Sequence, residues 1–544
     1  MRLSRIKQLA LLASGFRDFV QNPVTYPQAV HELTQRLANR ENHFIDFAKR
    51  LMYDIPGSPL RRLLVWAGCE FSDLQANVRS HGIEKTLEGL RDEGVYLTLE
   101  EFKSLTPICR PGLTLHTRGT DFENPFLMGR RIEGSSSGSR GKSTRAVYDW
   151  DFIAEESAHE LLLYTLHGVL QAPLALWYPV LPGVAGIHNL FMNLKLGVVP
   201  EKWFSHLPTR FADVSLETRL TLEFLYWGGR ACGLPVPRPE YVDLSGARRI
   251  VEWMEGARKT NGLSVVRTYG SSAVRIAQAA LEKGTDLEGS VIFTGGEPLT
   301  ESRRRFIESA GLKAYPRYVA TETGLIGAAC PHRSVVDDMH LYTDRVALIP
   351  LGQEAGTREG QVERFLFTTL SAHTARIMLN TELGDCGRLN TQRCGCLFGE
   401  IGFDVHLSNV HSYEKLTVEG MSLLTSELDS MISASLEEMG APPDCYQFWE
   451  MQEHEGLSRV VIAVSPDVKH LDEDRLIGAI LEKLRRANPR TALASRFWNQ
   501  AGVFRVIRER PRLTEWQKLL PALKRREPSS IEENHVSATP APRR

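Results

Sequence analysis

The sequence is short of cysteine, has no excess of either charge sign and contains no internal repeat, and each shortage excludes a class of protein. Eight cysteines in 544 residues, irregularly placed, are too few for a disulfide framework. They favour a reducing compartment, with the cytoplasm as the default. Lys and Arg number 65 against 66 Asp and Glu, so no global field draws in nucleic acid or an acidic partner, and no nucleic-acid partner is expected. Without a repeat there is no solenoid or propeller to consider. Charge is missing locally from Leu161 to Leu194, a stretch long enough to span a bilayer. Pro173, Pro179 and Pro182 with Gly183 and Gly186 interrupt it, however, so a buried helix followed by a buried strand, Leu174 to Val180, is expected and no stable membrane insertion. Met1 to Phe16 carries Arg2, Arg5 and Lys7 ahead of a short apolar patch without a clear cleavage site. It reads as an amphipathic first helix.

The length predicts roughly two to four domains. Helix-period spacing at Val30, Leu33 and Leu37, and again at Leu60, Leu63 and Leu64, predicts a helical N-terminal subdomain over 1–130. From 131 to 410, strand-like runs (Leu174–Tyr178, Ser264–Thr268, Ser290–Thr294) alternate with helical ones (Ala273–Glu282, Glu301–Ala310), which predicts a layered α/β core. Shorter strands over 336–407, with turns at Gly352, Gly356, Gly360 and Gly384, form a β-rich subdomain attached to it. Residues 411–526 read as a small C-terminal α+β domain. The tail over 527–544 has the composition of a disordered segment. The fold class expected is therefore α/β, a large N-terminal domain of layered subdomains with a small mobile C-terminal α+β domain.

Ser136, Ser137, Gly138, Ser139, Arg140, Gly141 and Lys142 gather small, permissive residues around one lysine, between two strand-like segments. Such a loop can turn successive N–H groups inward around a polyphosphate, with hydroxyls as further donors and an ammonium against the charge. It is not the common P-loop, since Ser136 stands where that pattern needs glycine and Thr144 to Tyr148 reads as a strand. A flexible surface loop has the same composition. Four further elements accompany it. Thr294-Gly295-Gly296-Glu297-Pro298-Leu299 runs a strand into a double glycine where backbone can approach a flat ring. Tyr318-Val319-Ala320-Thr321-Glu322-Thr323-Gly324 offers an aromatic face, a hydroxyl and a carboxylate able to hold a divalent cation. Asp385, between glycines in Leu383 to Gly387, can accept two ribose hydroxyls. Lys518 lies in Pro511 to Lys518, near the end of the small domain.

Taken together, these five ordered motifs resemble the adenylate-forming superfamily of acyl- and aryl-CoA synthetases, within it the phenylacetate-CoA ligase branch that includes acyl-protein synthetase-like proteins. Ser58 to Leu64 and Leu97 to Pro107 are similar to that branch's helical N-terminus, and the resemblance spans roughly 55–520. It implies ATP and Mg2+ as cofactors, the loop at Ser136–Lys142 on the phosphates, Gly295, Gly296, Glu297, Tyr318 and Asp385 on the nucleoside, and Thr321, Glu322 and Lys518 in catalysis, with Glu322 on magnesium. It also implies a carboxylic acid as substrate and coenzyme A or a carrier protein as acceptor. Two departures stand out. Ser408 to Glu414 lacks the arginine usual before the small domain, and Gln517 replaces the glycine usual before the lysine.

Cys330, with either His332 or His340, and Cys394 with Cys396 offer soft ligands from separate segments, suited to a structural zinc; some members of that branch show a similar pattern. Buried free thiols are the alternative. His188, beside an apolar run, falls near the family's substrate pocket, with a satisfied structural histidine as the commoner alternative, and the turn from Tyr269 to Ser272 resembles a pocket edge, with an ordinary helix N-cap as the alternative. Arg485, Arg486, Arg490 and Arg496 form either a contact for a phosphorylated cofactor or a solvated face. The function expected is an ATP-dependent, AMP-forming ligase that activates a carboxylic acid and passes it to a thiol, foremost coenzyme A. A carrier protein or amine as acceptor, and a nucleotide-binding module without turnover, remain open, as does the oligomeric state.

Overall fold

The computed structural model describes residues 15–127, 132–135, 145–181, 183–209, 214–351, 363–412, 415–441, 445–453, 455–469 and 471–511. Helices open the described chain: α1 Tyr26–Ala38, α2 Arg40–Ala48, α3 Pro59–Trp66, α4 Phe71–His81, α5 Ile83–Asp92 and the single turn α6 Leu99–Phe102. Their ends follow from local chemistry. The Ser58 hydroxyl accepts from the Arg61 N–H, with Pro59 in the first helical position of α3. At α6, the Glu101 N–H donates to the Thr98 hydroxyl and the Thr98 N–H to the Glu101 carboxylate, so each satisfies the other. The apolar faces at Leu60, Leu63, Leu64 and Leu87 are buried in one core with Phe365, Leu366 and Leu379. Two small hairpins follow, β1 Ile108–Arg110 with β2 Leu113–Leu115, and β3 Ile132–Ser135 with β4 Arg145–Tyr148.

The buried helix α7 Trp150–Leu166 leads into β5 Leu174–Trp177, α8 Ala185–Lys195, β6 Lys202–Ser205, α9 Leu216–Ala231 and β7 Pro239–Tyr241. The chain then returns through α10 Ala247–Asn261 to β8 Val265–Tyr269, α11 Gly270–Lys283, β9 Val291–Gly295, α12 Glu301–Ser309 and β10 Lys313–Ala320. Next come β11 Gly324–Ala328, β12 Met339–Leu341, β13 Val346–Pro350, β14 Glu363–Thr369, β15 Thr381–Thr391, α13 Leu397–Ile401 and β16 Val405–Ser412. All the strands from β5 to β16 belong to one twelve-stranded sheet, in the order β13-β14-β15-β16-β12-β11-β10-β9-β8-β5-β6-β7. The part from β5 to β10 is parallel and the remainder antiparallel. The β-rich segment is thus hydrogen-bonded into the same sheet as the α/β core. The expected strand at Leu174–Val180 ends at Trp177, and the uncharged stretch continues into the helix α8. No helix of the described residues is long and apolar enough to cross a membrane.

Strand order reverses between β5 and β8, because the chain builds outward to β7 and then resumes on the opposite side at β8. Such a switch point opens a crevice at the carboxyl ends of the strands. Beyond the sheet, the hairpin of β17 Lys415–Val418 and β18 Met421–Leu424 precedes α14 Thr425–Glu438, β19 Tyr446–Gln452, β20 Ser458–Val464, α15 Glu473–Ala487, α16 Pro489–Gln500 and β21 Phe504–Arg508. The strands β19, β20 and β21 form a mixed three-stranded sheet, the α+β unit expected near the C-terminus.

Candidate nucleotide and acid site

The crevice at the switch point holds a cavity of about 270 Å³. Tyr269 at the end of β8, Gly295 and Gly296 at the end of β9, and Tyr318, Thr321 and Glu322 at the end of β10 line it, and Asp385 from β15 joins them. Three of the five motifs, far apart in the chain, therefore converge on one space, together with the turn at Tyr269. The Tyr318 hydroxyl donates to Asp385 Oδ2 at 2.8 Å. Burial first, then the neighbouring Asp385 carboxylate, pushes that hydroxyl well above its ordinary range, so it stays protonated as a donor and fixes the carboxylate's orientation. Ser136, Ser137, Gly138, Ser139, Gly141, Lys142 and Lys518 lie outside the described residues.

The turn carrying Thr321 and Glu322 is held from behind. Gly324 has φ +75°, and a Cβ there would lie 1.9 Å from Glu156 Oε1, so this position requires glycine. The Leu325 N–H donates to the same oxygen at 2.6 Å, and Arg345 donates to the Thr323 carbonyl at 3.2 Å. On the cavity side the Lys103 ammonium meets Glu322 Oε1 at 2.5 Å. Lys103 is placed by α6, whose capping box is braced by Arg110 on Glu101 at 2.8 Å. The N–H of Leu97 donates to the Asn380 carbonyl and that of Glu382 to the Leu97 carbonyl. Sequence reasoning did not single out Lys103. Its signal was a basic residue two positions after a Thr-x-x-Glu sequence, inside a segment already quoted for its resemblance.

Glu297 lines the cavity but is already engaged. It accepts from the Ser271 N–H at 2.8 Å and the Ser271 hydroxyl at 2.9 Å, pairs with Arg303 at 2.9 Å, and accepts from the Gly420 N–H. Burial, opposed by Arg303 and assisted by Glu419, pushes its carboxyl above the usual range. Glu419 and Gly420 form the two-residue turn of the β17–β18 hairpin, both with positive φ, at 54° and 70°. A Cβ on Gly420 would stand 2.6 Å from the Tyr269 ring, and Arg275 pairs with Glu419 at 2.7 Å. The small domain therefore presents this turn to the cavity, where Thr417, Met421 and Ser422 also form part of the wall. Arg303 strengthens the docking, donating to the Gly456 carbonyl at 2.7 Å.

At the other end, His188 and Asn189 of α8 line the cavity, and His188 Nε2 is hydrogen-bonded to Glu156 Oε2. Ser408 to Ser412 of the unusual hinge are the end of β16, paired with β15, while Tyr413 and Glu414 lie outside the described residues. Arg485 and Arg486 both pair with Glu482 on an exposed helix face, the solvated arrangement.

His206, directly after β6, is fully buried beside the site, stacked on Trp177 with ring centroids 4.7 Å apart and bonded through Nε2 to the Ser272 hydroxyl at 3.1 Å. Burial, with Arg275 adding, lowers its pKa from 6.5 to about 3. The unfolded chain takes up a proton near 6.5 that the folded chain refuses until about 3, so stability is lost as pH falls through that window, by about 1.4 kcal/mol per pH unit per such group. His206→Gln should flatten that slope by close to one proton in urea titrations between pH 6 and 4.5. An unchanged slope contradicts a neutral buried imidazole.

Away from the cavity, Cys330, His340, Cys394 and Cys396 bring their ligand atoms within 4.8 Å of one another. His340 Nε2 lies 3.3 Å from Cys394 Sγ and 3.1 Å from Cys396 Sγ, and Cys330 Sγ lies 3.9 Å from Cys394 Sγ. Four ligands around tetrahedral zinc stand about 3.5–3.8 Å apart, so the set fits such an ion. His340 Nδ1 faces the Phe403 carbonyl at 2.7 Å, which leaves Nε2 toward the thiols. Between the two histidines weighed from sequence, His332 instead places Nδ1 3.2 Å from the Cys394 carbonyl. The hydrogen bond from Cys330, against burial and together with His340, pulls Cys396 down to about 3.

No protein-family model matches the sequence, and no curated protein does. Solved structures do. A structure of 2-hydroxyisobutyryl-CoA ligase in complex with 2-HIB-AMP and CoA, in the thioesterification state, matches with a TM-score of 0.55 and 16% identity over 90% of each chain. The amide bond synthetase McbA from Marinactinospora thermotolerans (K483A mutant) matches with a TM-score of 0.42 and 12% identity, over 85% of this chain and 91% of that one. The o-succinylbenzoate CoA synthetase MenE of Bacillus subtilis gives 0.42 and 11%, over 72% of this chain and 68% of that one. The architecture, a large layered α/β body followed by a small α+β domain, is the fold of 2-hydroxyisobutyryl-CoA ligase.

Proposed function

We propose that this protein is an ATP-dependent, AMP-forming ligase of the phenylacetate-CoA ligase type, which activates a carboxylic acid as its acyl-adenylate and passes the acyl group to a thiol, foremost coenzyme A. The observation that carries the reading is the convergence of Gly295–Gly296, Tyr318, Thr321–Glu322 and Asp385 on one cavity, in a fold shared with a CoA ligase.

A carboxylate is a poor acyl donor because its leaving group would be oxide. In the first step a carboxylate oxygen attacks the α-phosphorus, and the bond to the bridging oxygen breaks as pyrophosphate departs with the electron pair. In the second a thiol sulfur attacks the activated carbonyl, the bond to AMP oxygen breaks, and the thiol proton is released. Asp385, held by Tyr318, accepts the ribose hydroxyls, and the backbone at Gly295–Gly296 lies against the base. Glu322 with the Thr321 hydroxyl would hold magnesium, which supplies charge stabilisation on the phosphate oxygens. Lys103, paired with Glu322 Oε1, holds that carboxylate in place at the cavity wall. Lys518 bridges acid and phosphate, while the loop at Ser136–Lys142 grips the departing phosphates. The two half-reactions share one cavity in turn through rotation of the small domain, whose Glu419–Gly420 turn is the part docked here. Zinc held by Cys330, His340, Cys394 and Cys396 would be structural, since none of the four lines the cavity and together they supply four ligands with no open position.

Lys518→Ala tests the first step. It should lower acid-dependent pyrophosphate exchange about 100- to 1,000-fold while ATP binding stays measurable; wild-type exchange in the variant contradicts the reading. Coenzyme A, supplied with ATP and a panel of acids, should be converted to acyl-CoA. Hydroxamate trapping of the adenylate without thioester would instead assign the acyl group to a carrier protein or an amine.

A further inference from the structure

The helix α7 is buried almost throughout, with Trp150, Phe152, Ile153 and Leu161 to Leu163 all inaccessible, yet it also buries Glu156, His159 and Glu160. A carboxylate without solvent is costly unless several donors surround it. Glu156 has three, two at the turn after β10 and one on the opposite side of the cavity. The Leu325 N–H, at 2.6 Å, starts β11 directly behind the turn that carries Thr321 and Glu322. Arg345 reaches Glu156 Oε1 at 3.5 Å while its guanidinium also holds the Thr323 carbonyl of the same turn. His188, through Nε2, belongs to α8 and lines the opposite end of the cavity.

We propose that Glu156 is a positioning residue, which ties the acid-binding wall on α8 to the phosphate-side turn after β10 and so fixes the approach of the substrate carboxylate to the α-phosphorus. A second brace runs parallel to it. Glu160, one helical turn on, pairs with Arg317 at 2.5 Å and Arg267 at 3.0 Å, and Arg317 donates to Asn189, the neighbour of His188, at 3.3 Å. The absence of a side chain at Gly324 is what lets Glu156 reach the turn at all, since a Cβ there would overlap the carboxylate. Charge agrees with geometry. Burial alone would raise the Glu156 carboxyl, but His188, then Arg345 and the Leu325 N–H, outweigh it and hold the group below the usual range. An ionised Glu156 keeps all three partners at once.

The inference rests on the ligase reading above, and it separates from it by experiment. Attack on phosphorus requires reacting atoms within about 3–3.5 Å, and a displacement near 1 Å costs on the order of 100-fold in rate. Glu156→Gln keeps the shape and one acceptor but loses the charge. With purified full-length protein, single-turnover acyl-adenylate formation is measured at saturating ATP and acid, normalised to the fraction that binds ATP in calorimetry. The rate constant should fall about 100-fold, with the ATP dissociation constant within about threefold of wild type. His188→Asn, which leaves Glu156 its bonds to Leu325 and Arg345, should lose about tenfold, and the double variant should be no slower than Glu156→Gln alone. A brace that merely stabilises the fold would lower the ATP-binding fraction and leave the normalised rate unchanged. That result, or losses that multiply in the double variant, overturns the proposal. Should Glu156→Gln not fold, a wild-type rate in His188→Asn overturns it equally. Wild-type protein that forms no adenylate with any acid sinks the ligase reading and this inference together.

Discussion

Glu322→Gln is expected to lower acid-dependent pyrophosphate exchange by about 100- to 1,000-fold and to raise the magnesium concentration needed for half-maximal rate. The cavity offers four carboxylates, Glu297, Glu322, Asp337 and Asp385. Glu297 is engaged by Arg303, Ser271 and the Gly420 N–H, Asp385 by Tyr318, and Asp337 by the Val410 N–H. Glu322 faces Lys103, whose ammonium on a four-carbon stem can swing aside for a metal ion or a phosphate. The glutamine keeps the volume and removes the charge, so protein stability should change little while the charge that faces the phosphates is lost. Exchange within a few-fold of wild type, at unchanged magnesium dependence, would remove Glu322 from the chemistry.

Cys396→Ser should abolish stoichiometric zinc, from about one ion per chain to near none by elemental analysis, and lower the first thermal transition by roughly 5–10 °C. The cluster joins the segment after β11, the strand β12 and the segment before α13, with Cys396 standing as the residue that precedes that helix. The thiols and the imidazole face one another across 3.1–3.9 Å, so removing one of them breaks the ligand set. Chelator treatment of the wild type should reproduce the shift and leave Cys396→Ser unaffected. Freshly purified wild type free of metal would assign these residues to buried thiols instead.

Much of this architecture was legible because it is local. The strands β8 and β9 and the helix α12 follow hydrophobic period to within a residue of their bounds, α11 begins three residues before the expected start, and a glycine pair marks the end of β9 at the cavity. What period does not carry is which strands pair. Nothing within 336–407 says that these strands extend the core sheet, because antiparallel edges form across long separations: β12 pairs with β16, some sixty residues on. Long-range side-chain partners were equally hidden. Lys103 meets Glu322 and Glu156 meets His188 across 219 and 32 residues. A signal existed for the second, since Glu156 and Glu160 fall among Phe152, Ile153 and Leu161 to Leu163 in one helix, and charges buried with them demand partners. For the first, nothing in the segment from Leu97 to Pro107 said what lay opposite Lys103.

The account depends on adenylation above all, and ATP–pyrophosphate exchange by the wild-type protein reads that step alone. With magnesium and a panel of aryl, short-chain and long-chain acids, at least one class should drive exchange that is absent without acid. ATP bound tightly, with no exchange for any acid, would contradict it and leave a nucleotide-binding module without turnover.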